Sequence, residues 1–491
     1  MSKELEIRHR VSKEDYKAQA HLLRQSLLEA QYRLLDQAKF PAIIVIGGLD
    51  GAGKGDTVNL FNAWMDPRHI STHGFGKPST EEIQRPPMWR FWHALPPKGR
   101  ISMLFGSWYG PFIDDYVSGN IGATELDATI ATIQHFENML TTDGALLIKL
   151  WFDLSRDAQR QRLKELEEDP KTRWRVTDTD WLRYQNYDKY RDVSTRMLDA
   201  TNSAQAPWNI IDGSDARYRA LASGNILLNS LRQHLDTTTQ PARTATTAVP
   251  APSPAVLRNL DYTLQLERKE YESQLETWQG RLNQLLRDKH FQKKSLVVVF
   301  EGQDAAGKGG AIRRVTAALD ARQYTVIPIA APSDEERARP YLWRFWRQLP
   351  RRGHVALFDR SWYGRVLVER VEQFASEADW QRAYDEINDF EAQMASHDVI
   401  VVKFWLAITK DEQLARFRER EEVSFKKHKI TAEDWRNREK WDDYEIAVND
   451  MVARTSTRAA PWTLIPANNA EYARVTVLKT LCQRVKEALS D

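Results

Sequence analysis

The chain of 491 residues contains one cysteine, Cys482. A single thiol excludes an internal disulfide framework and suits a reducing compartment. An excess of one charge is also missing, since Lys+Arg 70 against Asp+Glu 68 leave a formal net charge of +2. There is no global electrostatic case for nucleic acid or a membrane surface, so any anion site must come from local clustering. No apolar run approaches the length of a membrane span, and Met1–Glu6 carries no apolar signal region. The expectation is a cytoplasmic protein with neither a nucleic-acid nor a membrane partner. Tryptophan, by contrast, is abundant, with 17 residues, which predicts heavy aromatic packing rather than a chemistry. The length is too great for one core and suits two or more domains.

The stretch Glu301-Gly302-Gln303-Asp304-Ala305-Ala306-Gly307-Lys308-Gly309-Gly310 organises the chain. It follows the apolar run Leu296-Val297-Val298-Val299-Phe300, which reads as a strand buried on both faces, and precedes a helical pattern from Ala311. In the order strand, Gly-rich loop, helix, Gly-x-x-x-x-Gly-Lys means phosphate binding. Gly302, Ala305, Ala306, Gly307, Gly309 and Gly310 bring backbone N–H groups onto phosphate oxygens, and the helix N-terminus adds partial positive charge. After Lys308 stands Gly309 instead of the Ser or Thr of an ordinary Walker A loop, so Asp304 is a candidate to take over the hydroxyl's role at Mg²⁺.

The loop occurs twice. Gly48-Leu49-Asp50-Gly51-Ala52-Gly53-Lys54-Gly55 lies 254 residues earlier, and the same offset relates Trp343-Arg344-Phe345-Trp346 to Trp89-Arg90-Phe91-Trp92. It holds for Ser361-Trp362-Tyr363-Gly364 and Ser107-Trp108-Tyr109-Gly110, and for Glu391 and Glu137, Lys403 and Lys149, Trp462 and Trp208. A register held so far without a gap predicts two copies of one domain. A helix is predicted over 10–39, with a counterpart around Tyr271–Leu285. The Thr/Ala/Pro-rich stretch between the copies reads as a linker, so the domains are 1–236 and 257–491, joined by 237–256. In the second copy, apolar runs at 295–300, 325–329, 354–358, 399–402 and 462–465 alternate with helical patterns. They predict an α/β fold with a parallel five-stranded sheet covered on both faces, whose ligand site lies beyond the carboxyl ends of the strands.

Three further signals surround the second loop. Asp359 ends an apolar strand, which places a carboxylate beside the loop so that Asp304 and Asp359 together can anchor metal. Positions 337–370 hold Arg337, Arg339, Arg344, Arg347, Arg351, Arg352, Arg360, Arg365 and Arg370. Interleaved with aromatics, they form a candidate polyanion surface, against the plainer reading of a solvated basic face. A helix over Thr409–Arg420, with Leu414 and Phe417 inward, puts Arg416 and Arg420 on one face, as a lid over phosphates does. An exposed helix laced with Glu–Arg pairs is the alternative. Lys426, Lys427 and Lys429 extend the basic character.

In combination, Gly302-x-Asp304-x-x-Gly307-Lys308-Gly309-Gly310, Trp343-Arg344-Phe345, Asp359-Arg360-Ser361-Trp362-Tyr363 and the Arg416/Arg420 pair resemble the polyphosphate kinase 2 family. The resemblance covers essentially both copies, and the tandem layout is similar to its two-domain polyphosphate:AMP phosphotransferases. It implies two tandem P-loop kinase-like domains with helical lids. The implied reaction is Mg²⁺-dependent transfer of the terminal phosphoryl group of inorganic polyphosphate to AMP, giving ADP. It makes Asp304 and Asp359 metal ligands, and Lys308, Arg360, Arg416 and Arg420 phosphate-binding residues. It also draws in Glu391 as catalytic and Arg344, Arg365 and Lys403 as substrate-binding. Polyphosphate and AMP/ADP are the implied partners, with a homo-oligomer left open.

The copies are not equivalent. At the same offset Asp359 faces Phe105, Arg360 faces Gly106, Arg365 faces Pro111 and Arg420 faces Leu166, while Arg416 persists as Arg162. The first domain is therefore expected to be inactive, the rival being rescue by Asp114 or Asp115. Two other functions compete: a nucleoside monophosphate kinase with ATP as donor, and a non-catalytic P-loop module that binds polyanions.

Overall fold

Short apolar runs bounded by turn residues become strands on both sides of the linker. In the first repeat they are β1 (Ala42–Gly48), β2 (Ile70–Gly74), β3 (Ile101–Phe105), β4 (Leu146–Asp153) and β5 (Trp208–Asp212). In the second they are β6 (Ser295–Gly302), β7 (Tyr324–Pro328), β8 (Val355–Asp359), β9 (Val399–Ala407) and β10 (Trp462–Pro466). The computed structural model describes residues 9–237, 255–422 and 432–490. Most of the linker, 238–254, and Lys426, Lys427 and Lys429 lie outside the described residues.

The sheet orders are β2-β3-β1-β4-β5 and β10-β9-β6-β8-β7, the same topology read from opposite edges. Every paired neighbour is parallel. The two α/β sheets expected from the alternation of strands and helices are therefore present. Central strands are buried along their length, β9 at all nine positions, as a sheet covered on both faces requires.

Alternation assigns the two faces of the second sheet to different cores. Leu296, Val298 and Phe300 pack with Leu282 and Leu286 of helix Arg268–Leu286 and with Leu478, Leu481 and Val485 of helix Ala470–Ser490. The other face carries an aromatic cluster, in which Trp346 and Trp362 lie 4.9 and 5.0 Å from Phe390. The first repeat duplicates it, with Trp92 and Trp108 at 5.4 and 5.1 Å from Phe136. Four of the 17 tryptophans serve this packing.

By contact the chain divides into two bodies. One takes Met1–Ser79, Arg90–Arg243 and Ser333–Trp343; the other takes Thr80–Trp89, Thr244–Pro332 and Arg344–Asp491. Each thus includes a short segment from the other repeat's stretch of sequence. One consequence is that the arginine-rich run is divided, with Arg337 and Arg339 in the first body and the other seven in the second. Among the described residues no helix is long and apolar enough to cross a membrane.

Candidate active site

The loop after β6 is shaped by positions where a side chain is excluded or strained. Gly302 has φ +149°, and a Cβ there would stand 2.4 Å from Leu406 O. Ala305 and Gly307 take φ +64° and +100°, left-handed conformations that turn successive N–H groups inward. Lys308 begins helix Lys308–Thr316, and its Nζ donates to Gly302 O at 2.7 Å and Gln303 O at 3.3 Å. Gln413 Nε2 holds the loop at Asp304 O, 3.0 Å away.

Asp304 is the electrostatic centre. Its Oδ1 accepts from Arg360 Nη2 at 3.2 Å and its Oδ2 from Asn437 Nδ2 at 2.8 Å. Asp359 ends β8 opposite Phe300 of β6, beside the start of the loop. Arg360 follows with φ +65°, a strained backbone for a residue with a Cβ and one of the signatures of functional sites. Burial works against the Arg360 charge, but Asp304 and Glu301 more than offset it and hold the guanidinium above its ordinary value. Glu301, 5% exposed, accepts from Ser361 Oγ at 2.8 Å. Burial pushes its carboxyl up, against Lys308, Ser361 and Arg360 and together with Asp359. Glu301, Asp304, Lys308, Asp359 and Arg360 thus form one cluster of charges.

Among the described residues no group of three or more His, Cys, Asp or Glu side chains could hold a metal by itself. Two carboxylates fit Mg²⁺ nevertheless, because that ion keeps waters and is commonly held by one or two carboxylates plus substrate phosphates.

A cavity of about 280 Å³ opens beside the cluster. Glu301, Asp304, Arg360 and Asn437 supply polar groups beside the loop, Arg258, Lys410 and Glu445 supply further charges, and Leu367, Val368, Trp441, Tyr444 and Val448 contribute apolar and aromatic walls. This is the mix of a mostly apolar pocket and a few convergent polar groups that small-molecule sites use.

Of the residues expected at the site, Asp304, Lys308, Asp359 and Arg360 meet, and Gly302, Ala305, Ala306, Gly307, Gly309 and Gly310 build the loop and first helical turn. The helix expected over Thr409–Arg420 is Lys410–Glu422. Phe417 is buried in it, but Gln413 takes the inward place and Leu414 is only half-buried. Arg416 serves the loop's backbone: Nη1 donates to Ala305 O at 2.9 Å, and Nη2 to Ala467 O and Asn468 O at 2.7 Å each. Arg420 lies one turn further on and is half-buried. Arg344 donates to Ala330 O at 3.0 Å, as Arg90 does to Gly76 O at 3.0 Å in the first repeat. Arg365 pairs with Glu369 at 2.8 Å.

Glu391 and Lys403 lie elsewhere, 1% and 0% exposed. Glu391 Oε1 accepts from Trp362 Nε1 at 3.1 Å and Tyr363 OH at 2.7 Å. Its Oε2 accepts from Lys403 Nζ at 2.7 Å, and Lys403 also donates to Thr455 O at 2.8 Å. The first repeat has the same closed network: Glu137 with Trp108, Tyr109 and Lys149, and Lys149 with Thr201 O. Neither Glu391 nor Lys403 lines the cavity.

The arginine run is largely paired. Arg352 meets Asp398 at 3.7 Å and Arg370 meets Asp450 at 2.8 Å. Arg339 meets Glu335 at 3.4 Å, and Arg337 meets Asp334. Among these nine, Arg360 is the one that lines the cavity.

The first repeat keeps the loop and changes what surrounds it. Phe105 lies opposite Ile46 on β1, the place of Asp359 opposite Phe300. Gly106 and Gly51 take the left-handed positions of Arg360 and Ala305, with φ +76° and +80°. At the position of Asn437 stands Arg183, whose Nη1 donates to Asp50 Oδ2 at 3.2 Å and Nη2 to Asp114 Oδ2 at 2.6 Å. Burial raises the Asp50 carboxyl, but Lys54 and Arg183 outweigh it and hold it below its ordinary value. Asp114 also accepts from Tyr190 OH, and it occupies the position of the apolar wall residue Val368.

Glu301 and Asn437 escaped the sequence reading. The offset of 254 sets them against Gly47 and Arg183, so a carboxylate lost and an arginine gained in the first copy are the signals that mark them.

Comparison with known proteins bears on the whole chain. The polyphosphate kinase 2 (PPK2) family matches residues 10–239 and again 265–491. A Pseudomonas aeruginosa protein named polyphosphate:AMP phosphotransferase is 52% identical over 492 residues, covering 99% of each chain. A protein of the same name from Acinetobacter johnsonii is 38% identical over 466 residues, covering 94% of this chain and 95% of its own. A crystal structure of a Pseudomonas aeruginosa protein assigned to polyphosphate kinase 2 superposes with a TM-score of 0.91 at 49% identity, over 100% of both chains.

Proposed function

The chain belongs to the polyphosphate kinase 2 family, and from that membership we propose that it is a polyphosphate:AMP phosphotransferase working through its second repeat. It transfers the terminal phosphoryl group of inorganic polyphosphate to AMP, giving ADP. The observation that supports the site assignment is the cluster of Asp304, Asp359, Lys308 and Arg360 around the loop, with Asp304 and Arg360 lining a cavity that also has apolar and aromatic walls. Full-length relatives at 52% and 38% identity bear the name of this activity.

The loop's backbone N–H groups and the helix N-terminus receive the end of the polyphosphate chain. Lys308 releases its own loop carbonyls and turns to the transferring group, and Arg360 faces the same oxygens from the end of β8. Asp304 and Asp359 are the residues that would hold Mg²⁺, which would supply charge neutralisation to the phosphate oxygens. The AMP phosphate is already ionised and needs no strong base. One of its oxygens bonds to the terminal phosphorus in line as the bridging P–O bond of the donor breaks, and the shortened polyphosphate keeps that bond's electron pair. Catalysis is then positioning and charge stabilisation.

In this reading the first repeat is inactive: Phe105 replaces one carboxylate, Gly106 removes a guanidinium, and Arg183 gives Asp50 a cation of its own. Glu391 and Lys403 belong to a packing network shared by both repeats, and Arg416 is a clamp on the loop rather than a direct phosphate ligand. A cytoplasmic setting with access to nucleotides suits the activity.

The test is ADP formation from AMP, Mg²⁺ and polyphosphate with no ATP present. The proposal predicts ADP; ADP appearing only when ATP is the donor would contradict it.

A further inference from the structure

Residues 255–264 belong to neither stretch matched by the family, yet they supply part of the cavity wall. Leu257, Arg258 and Tyr262 all line it. Two hydrogen bonds tie this segment to helix Trp441–Thr455, a third is internal to it, and a fourth holds the chain just beyond it. Val256 N donates to Asn449 Oδ1 at 3.1 Å, and Arg258 Nε to Glu445 Oε1 at 2.6 Å. Tyr262 OH donates to Leu257 O at 3.1 Å, and Leu266 N to Asn469 Oδ1 at 3.3 Å. Leu257 is 5% exposed, so the segment is packed down rather than trailing over the surface.

The cavity's polarity says what this wall faces. Arg258 and Glu445 also line this wall but are paired with each other at 2.6 Å. A phosphate chain has no use for Leu257, Tyr262, Trp441 and Val448, whereas a flat base and sugar do, and the transferred group must arrive beside Asp304 and Arg360. A nucleoside monophosphate laid along the cavity puts its phosphate at the charges and its nucleoside among the apolar walls. Burying an aromatic base against such walls is a main source of affinity in such pockets.

We propose that residues 255–262 are a strap, outside the family's own domain, that closes the nucleoside end of the acceptor site, with Leu257 and Tyr262 as specificity-determining residues for AMP. This rests on the assignment of AMP as acceptor. The strap is the far end of the connection between the repeats, so the connection contributes to substrate selection as well as joining two domains. Its chemistry favours acceptors with an apolar, planar base over phosphate-only acceptors.

The test uses the full chain with Tyr262→Ala and Leu257→Ala, each checked for an unchanged melting profile. The expected result is a rise of about tenfold in KM for AMP, with kcat and the KM for polyphosphate within twofold of wild type. An unchanged KM for AMP, or a loss confined to kcat, would overturn the strap. Calorimetric binding of AMP to wild type and Tyr262→Ala, without polyphosphate, reads the strap independently of turnover. Roughly tenfold weaker binding supports it, and equal affinity overturns it. Failure of the assigned activity would show instead as a wild type that makes no ADP from AMP and polyphosphate.

Discussion

Arg183 Nη1 lies 3.2 Å from Asp50 Oδ2 in the first repeat, where the second repeat has the neutral Asn437 2.8 Å from Asp304 Oδ2. The substitution changes the meaning of an otherwise repeated loop. Each loop carboxylate has one guanidinium at 3.2 Å, Arg183 on Asp50 and Arg360 on Asp304, but they approach from different sides. Asp304 keeps a neutral amide where Asp50 meets its cation, and Arg360 has only Gly106 as its counterpart in the first repeat. The Arg183 guanidinium reaches Asp114 at 2.6 Å, so the carboxylate considered as a rescue for the missing Asp359 is engaged as well.

Moving that cation into the working repeat should silence it. Asn437→Arg is expected to lower kcat by ~10²-fold or more, the size of losing a key electrostatic group, and to weaken Mn²⁺ binding followed by electron paramagnetic resonance. Asn437→Ala, which removes one hydrogen bond and adds no charge, should retain Mn²⁺ binding. Equal Mn²⁺ binding by Asn437→Arg and wild type would refute the idea of a tethered counter-ion.

Arg360 occupies φ +65° where the first repeat has Gly106 at φ +76°. A side chain held in that region costs ~1–3 kcal/mol, so Arg360→Gly should leave the second domain equally stable or up to ~1 kcal/mol more stable. The same change removes the guanidinium on Asp304 and should abolish phosphoryl transfer. Denaturant unfolding and the ADP assay on one preparation check both halves. A variant that unfolds more readily would show that the Arg360 contacts outweigh the strain.

The buried Glu391–Lys403 pair should behave as packing in both repeats. Burial pushes the Glu391 carboxyl up and the Lys403 ammonium down, against their mutual attraction. Removing one partner strands the other in an apolar interior. Glu391→Gln and Glu137→Gln are each expected to cost ~3–5 kcal/mol of stability, measured by urea unfolding. The molecules that remain folded should keep kcat within a few-fold of wild type, and a stable but inactive Glu391→Gln would restore this residue to the chemistry.

Much of this was legible in the sequence, for reasons that are physical. Parallel strands buried on both faces appear as unbroken apolar runs, so β6 and β9 announce themselves, and the loop after β6 needs glycines where backbone meets phosphate. The duplication was visible because one offset serves loop, aromatics and strands together. What stayed hidden depends on contacts across the fold. Glu391 and Lys403 look like site residues in a motif because nothing local reveals that Trp362, Tyr363 and Thr455 enclose them. The arginine run looks like a polyanion surface because spacing does not reveal its pairing with Asp398, Glu369 and Asp450. The strap at 255–262 straddles the expected boundary between linker and second domain at 256/257, and nothing local reveals its role because its partners, Glu445 and Asn449, lie nearly two hundred residues away.

The most direct test of a single working site is the ATP-free assay applied to matched changes in the two repeats. Lys54→Ala and Asp359→Asn are purified as full chains and given AMP, Mg²⁺ and polyphosphate, and ADP is followed over time. The account predicts near-wild-type ADP from Lys54→Ala and a loss of ~10²-fold or more from Asp359→Asn. Loss of activity in Lys54→Ala, with Asp359→Asn still producing ADP, would place the working site in the first repeat and contradict it.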